Sequence, residues 1–356
     1  MNSKERVRIA MGHEAPDRIP INFRATDQVI QRLSKHFCSD YFGILSHYQV
    51  DFREIIPPYI GPRFPNVEDG SEMDLWGVGS SELVTETGRD VMISINPLKD
   101  AQTLDDVKNH SWPKAEWFDF SHVKKMCGDF RDYAISTPGL HIEGYHGVFH
   151  LLTYLFGMER AMMDMVVNPE PLKAAIHEIM AFFKAYYERL FEAGDGNIDF
   201  LFYKDDFGAQ NNLLISEEMF RQFFFPNIKA LCDLAENYGA KVILHSCGSV
   251  MKLIPDFIKA GAAVLDPIQV TAKGMDIREL KTRFGEELIF HGGIDVQQLM
   301  PFGSIEEIRE KAKETIEVLG KGGGYFFSPS HRFQPDTPVE NVVALYDAVF
   351  EYGAYH

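Results

Sequence analysis

Four short stretches of this sequence carry side chains that could do chemistry. The sharpest is His245-Ser246-Cys247-Gly248, directly after the apolar run Val242-Ile243-Leu244. A histidine and a cysteine two residues apart leave a strand on the same side. Both ligate Zn²⁺ well, and a thiolate favours zinc over magnesium or calcium. The other reading of these four residues is a core histidine and an inert cysteine beside a turn. A metal would need a third ligand, and no second cysteine follows at zinc-like spacing. The next stretch, Ser330-His331-Arg332, joins a last apolar run to a last helix pattern. Asp205-Asp206-Phe207-Gly208 offers paired carboxylates after Phe200-Leu201-Phe202-Tyr203. They suit a general base, a metal ligand or a substrate acceptor, or else a helix cap or a buried ion pair. Finally, His291-Gly292-Gly293 could bring small residues close to a ligand.

Eight strand-like runs have to position these groups. They fall at residues 19–23, 52–56, 140–143, 198–203, 241–244, 263–265, 288–290 and 324–327. Several are apolar at consecutive positions, as strands buried on both faces are. Helix patterns lie between them. Ser216, Asp276 and Ser304 open helices, and Gly239, Gly261, Gly285 and Gly320 stop them. Thr337-Pro338-Val339-Glu340 reads as cap, first-turn proline and acidic turn of the final helix. This alternation predicts a parallel sheet, and eight strands in 356 residues predict a single (β/α)8 TIM-type barrel over 1–356. Residues 57–117, with their prolines and glycines, fit the alternation poorly. They predict an N-terminal insertion of loops and hairpins. A doubly wound open sheet is the competing architecture, but no GxGxxG follows the first strand. In a barrel the chemistry sits at the C-terminal strand ends. There this sequence places Arg24, Glu143, Asp205, Asp206, His245, Cys247, Asp266, Gln269, His291 and His331.

Composition narrows the function. Lys plus Arg total 35 and Asp plus Glu 52, a formal charge of −17. Such a balance speaks against a nucleic-acid binder, which needs a basic face. Four irregularly spaced cysteines make no disulfide framework. No window approaches the ~18 apolar residues of a membrane span, and the first residues have no apolar core of a secretory signal. The expectation is a cytoplasmic protein.

Five stretches resemble the uroporphyrinogen decarboxylase superfamily in order and spacing. They are Ala15-Pro16-Asp17-Arg18-Ile19-Pro20, Asp205-Asp206-Phe207-Gly208-Ala209-Gln210, His245-Ser246-Cys247-Gly248-Ser249, Phe290-His291-Gly292-Gly293-Ile294-Asp295, and Ser330 through Asn341. The resemblance implies a barrel with its cleft at the C-terminal mouth, and it covers two chemistries. True uroporphyrinogen decarboxylases use an arginine-rich N-terminal segment of the type Arg-Gln-Ala-Gly-Arg and no metal. Here the corresponding stretch reads Asn22-Phe23-Arg24-Ala25-Thr26-Asp27, so only Arg24 could play that part. A polycarboxylate substrate also suits a −17 chain poorly.

The other branch, the methylcobamide-dependent methyltransferases, moves a methyl group between a corrinoid and a thiol. Its zinc is held by a His-x-Cys pair and a distant cysteine. The first two ligands fall on His245 and Cys247. The third falls on His331, a histidine where that branch has cysteine. The resemblance therefore implies a zinc-dependent methyl transfer to a thiol or other nucleophile, with Zn²⁺ on His245, Cys247 and His331. The corrinoid would be carried by a partner protein. Glu143, Asp206 and His291 are then the candidates for catalysis, and Arg24, Asp205, Gln210 and Gln269 for substrate binding. Superfamily members commonly dimerise, so a homodimer is the expected assembly. Porphyrinogen decarboxylation and a non-catalytic barrel that binds a corrinoid or small ligand are the competing functions.

Overall fold

The computed structural model describes residues 1–64, 71–85, 88–137 and 147–355, leaving aside the side chains of 82–91. Its main sheet has seven strands. They are Phe52–Glu54, Ala134–Ser136, Phe200–Lys204, Lys241–His245, Ala262–Ile268, Ile289–Ile294 and Tyr325–Pro329, paired in that order and all parallel. The eighth stave is the segment 19–23, present as a single bridge between Ile21 and Phe327 instead of a full strand. Pro20 removes a donor from its ladder, yet the segment still closes the ring. Phe327 N donates to Pro20 O (2.8 Å) and Asn22 N to Phe327 O (2.8 Å), while Asp51 N donates to Ile21 O (2.9 Å) on the other side. The barrel expected from the alternation is the fold observed.

One stave was not among the predicted strands. The stave after Phe52–Glu54 is Ala134–Ser136, a short run buried at all three positions. The run at 140–143, and with it Glu143, lies outside the described residues. The stave at Ala134–Ser136 is fully buried and shows no alternation to recognise.

Strand periodicity builds the interior. Every second residue points into the barrel. Phe52, Ala134, Phe200, Ile243, Val264, Ile289 and Phe326 pack together as an apolar floor. Two residues further along their strands stand Glu54, Ser136, Phe202, His245, Asp266, His291 and Ser328. Polar groups therefore begin one layer above a dry plug. The alternate residues, such as Leu201, Tyr203, Val242, Leu244, Leu265 and Phe290, face outward into the larger core beneath the helices.

The helices start largely as their caps dictate. Ser304 Oγ accepts from Glu307 N while Glu307 reaches back to Ser304 N, a reciprocal capping box. Asp276 and Ser216 cap their helices by accepting backbone N–H groups of the first turn. The final helix, Val339–Tyr352, departs from expectation. Pro338 occupies the cap position, and the Thr337 hydroxyl is buried without a partner among the described residues. Between 57 and 117 the chain forms a separate antiparallel sheet of Glu72–Met73, Gly79–Thr85 and Gly88–Ile95. It is followed by the helix Leu104–Lys108 and a short turn of helix at Ala115–Trp117. Trp76 fastens this region to the long helix Pro169–Gly194 by edge contacts with Phe182 and Phe183, at 5.4 and 6.1 Å between ring centres.

Candidate metal centre

His245 ends its strand pointing into the barrel, and Cys247 follows on the same side. The His245 and His331 rings lie 6.0 Å apart. A ligating atom of each of His245, Cys247 and His331 lies within 4.8 Å of the others. Cys247 Sγ is 3.4 Å from His245 Nε2. In tetrahedral zinc sites with bonds of about 2.0–2.3 Å, ligand atoms stand roughly 3.3–3.7 Å apart.

His245 is braced from behind. Its Nδ1 donates to Asp266 Oδ2 at 2.5 Å, because an ionised carboxylate only accepts. That fixes the tautomer and leaves the Nε2 lone pair facing the sulfur. A carboxylate behind a ligating imidazole is the usual support of a metal-bound histidine. Asp266 is fully buried and shared. Arg24 donates to both its oxygens (2.8 and 2.9 Å), and His291 Nδ1 lies 2.9 Å from Oδ1. Burial alone would push the Asp266 carboxyl up, but Arg24, His291 and His245 together hold it well below the ordinary range. His291 itself is wholly enclosed, stacked on Phe52 and within 3.3 Å of Asn22 Nδ2. It lines neither of the cavities described below.

The loop after Phe200–Lys204 separates its two carboxylates. Asp205 is buried and turns away from the cluster. It accepts the backbone N–H groups of Phe149 (2.8 Å) and His150 (3.1 Å) and the Tyr203 hydroxyl (2.9 Å). It therefore caps the helix Val148–Phe156, where an anion is favoured. Asp206 turns towards the cluster instead. Its Oδ1 accepts Cys247 N (2.7 Å) and stands 3.6 Å from His245 Nε2. Burial opposes its charge, yet His245, His150 and the Cys247 amide bring its carboxyl down to about 2. Gly208 and Gly248 let these loops touch. A Cβ on Gly208 would sit 2.7 Å from Cys247 O, and one on Gly248 would sit 2.4 Å from Gly208 backbone atoms. Gly248 also has φ +88°, which favours glycine.

Burial sets the protonation of the other two members of the cluster. It pushes the Cys247 thiol well up, with Asp206 and Asp266 adding to the effect. It also drops His331 to about 3, helped by His245. A neutral His331 keeps a lone pair for a cation, and a bound cation reverses the thiol shift. Gln269 Oε1 accepts Gly248 N (2.8 Å), and its Nε2 donates to Gln210 Oε1 (3.3 Å). Gln210 Nε2 in turn donates to Thr271 O. This amide chain ties the cysteine loop to the next one.

Two cavities reach the cluster. One, about 500 Å³, is lined by Cys247, Gln269, Ser330, His331, Asp295 and Gln334 among others. The second, about 250 Å³, lies on the side of His245 and His331 and includes Arg24, Glu54, Lys204 and Arg332. Glu54, Lys204 and His150 were missed in the sequence. The first two stand at inward positions two residues beyond Phe52 and Phe202, so period-two counting along the runs would have found them. His150 sits in an apolar helix and carries no local signal. Its Nδ1 donates to Asp205 (3.0 Å), and its Nε2 stands 3.8 Å from Asp206.

A family model described as uroporphyrinogen decarboxylase (URO-D) matches residues 95–352. Uroporphyrinogen decarboxylase of Coxiella burnetii (strain RSA 493 / Nine Mile phase I) is 27% identical over 197 residues, 53% of this chain and 49% of its own. Methylcobamide:CoM methyltransferase MtaA of Methanosarcina barkeri is 26% identical over 213 residues, 60% of this chain and 58% of its own. The chain thus spans about half the length of the curated relatives it matches. A solved methyltransferase from Methanosarcina mazei superposes with a TM-score of 0.67 at 20% identity, covering 99% of both chains. At that identity the likeness is one of fold.

Proposed function

The chain belongs to the uroporphyrinogen decarboxylase (URO-D) family, and on that footing we propose that it transfers a methyl group between a corrinoid and a thiol or other nucleophile. The corrinoid would be presented by a partner protein at the barrel mouth, as the methylcobamide substrate in the name of the Methanosarcina barkeri relative suggests. One observation carries the reading: three potential ligating atoms converge within 4.8 Å, and His245 among them is braced by a buried carboxylate. This donor set fits zinc, with His245, Cys247 and His331 as ligands. Zinc held there would supply Lewis acidity, which would ease deprotonation of a thiol or other nucleophile.

The protein's own groups do the rest. Asp266 orients His245, and Arg24 and His291 keep Asp266 ionised. Asp206 fixes the Cys247 backbone through its amide and places a negative charge beside the cluster. With its carboxyl near 2, Asp206 is too weak a base to take a proton at neutral pH. Burial lowers the affinity of His150 for a proton, but the hydrogen bond to Asp205 and the charges of Asp205 and Asp206 together outweigh it and raise the group above its ordinary value. Standing beside Asp206, His150 is the better proton carrier. Gln269 and Gln210 hold the cysteine loop at the cleft, Arg24 closes the opposite side, and Asp205 sets the helix that carries His150.

Decarboxylation of a porphyrinogen is the second reading, favoured by the Coxiella burnetii relative. Incubation with methylcobalamin and a panel of thiols and tetrahydrofolate tests the first reading, and formation of coproporphyrinogen from uroporphyrinogen tests the second. Demethylation of methylcobalamin that disappears in Cys247→Ala is the expected outcome. Coproporphyrinogen formation without demethylation would replace the first reading by the second.

A further inference from the structure

Three carboxylates stand around the cluster, and two of them are committed elsewhere. Asp266 supports His245 from behind and is held by Arg24 and His291. Asp205 caps the helix Val148–Phe156. Asp206 is the third. Its Oδ1 accepts Cys247 N at 2.7 Å, so the cysteine loop itself aims the carboxylate. Among the described residues no arginine or lysine forms an ion pair with it, and its charged neighbours are His245 and His150. The same Oδ1 stands 3.6 Å from His245 Nε2, the nitrogen that faces the cluster. That is the spacing of neighbouring donors on a tetrahedral zinc, roughly 3.3–3.7 Å. The atoms of His245, Cys247 and His331 lie within 4.8 Å of one another, so they close in on an entering cation, and Asp206 closes in with them. Two neutral imidazoles and one thiolate also leave a doubly charged cation with a net positive charge. A half-enclosed site favours an anion beside it.

We propose that Asp206 is the fourth donor of the centre, filling the remaining position at rest and yielding it to the substrate. This inference rests on the metal reading above and narrows the substrate to a thiol. An alcohol or water has to compete with an anionic oxygen already in place, whereas a thiolate is the softer ligand and the better one for zinc. The displaced carboxylate stays in the site. Cys247 N still holds Oδ1, and His150 Nε2 lies 3.8 Å from Oδ2 to meet the freed charge. Asp206 thereby keeps water off the centre until a thiol arrives.

Cobalt(II) loaded in place of zinc tests this, because its visible spectrum reports the donors around it. The purified protein is loaded under a phosphine reductant and titrated from about pH 6 to about pH 9, the range in which a water bound to such a cation loses its proton. The wild-type spectrum is expected to stay constant. Asp206→Ala should take up a water and show a spectral transition within that range. Asp206→Asn keeps the shape and the bond from Cys247 N but not the anionic donor. It should show the same transition, and it carries the test if Asp206→Ala does not fold. 2-Mercaptoethanol should shift the wild-type spectrum, and ethanol at the same concentration should not. A pH-dependent wild-type spectrum, or variants with the wild-type spectrum, would overturn the fourth donor while leaving the other three ligands in place. An equal shift with ethanol would overturn the thiol assignment. A wild-type protein that binds neither cobalt nor zinc would remove the metal reading itself, so the two failures are distinguishable.

Discussion

At the residue scale, the account turns on how few atoms define the centre. His245 and Cys247 were readable in the sequence because a strand end puts positions i and i+2 on one side. His331 was readable only through the family resemblance, since nothing local ties it to residues more than eighty positions earlier. Asp266 was legible as a polar residue at a strand end, but its role was not, because support from behind is a property of the assembled barrel. Removing it tests that role. Asp266→Asn should leave the three ligands in place and lower zinc affinity about 10- to 100-fold, measured by competition with a chromophoric chelator. Asp206 gives a pH prediction with a fixed sign. Its carboxyl lies below the unfolded value of 3.8, at about 2 in the folded protein. Its contribution is therefore complete above about pH 4 and fades as pH falls towards 2. Asp206→Asn should lose on the order of 2 kcal/mol at pH 7. Urea melts at pH 7 and pH 2.5 should show that difference shrinking in acid. A difference that stays constant would remove the charge argument.

At the element scale, strand alternation and helix caps were the legible part, and loop contacts were not. The pairing of Gly208 with Gly248 depends on two loops forty residues apart, so neither glycine stands out in its own stretch. Gly248→Ala meets both a backbone clash and an unfavourable φ. It should destabilise the protein by about 1–3 kcal/mol and displace Cys247 enough to lower zinc occupancy. Thermal melts and metal content read the two effects separately. The Asp205 pair illustrates the opposite limit. The dipeptide Asp205-Asp206 has two identical side chains, and only the fold shows that one caps a helix while the other faces the site. The strand at Ala134–Ser136 was illegible for a related reason: three buried residues give no periodicity to count.

At the scale of the whole molecule, barrel closure depends on the N-terminal stave, which has few hydrogen bonds of its own. Asp51 compensates. It is fully buried, bonds Arg6 (2.7 Å) and Arg18 (2.8 Å), and accepts Ile21 N (2.7 Å). Asp51→Ala leaves two guanidiniums short of a partner and should cost about 3–5 kcal/mol in chemical denaturation. The −17 charge had argued against a polycarboxylate substrate. The central claim remains the metal cluster. The most direct test is zinc analysis of protein purified under reducing, zinc-replete conditions, wild type beside Cys247→Ala and His331→Ala. The account predicts about one zinc per chain in the wild type and a loss in both variants. A wild-type protein without stoichiometric zinc, or a Cys247→Ala protein that keeps it, would contradict the account.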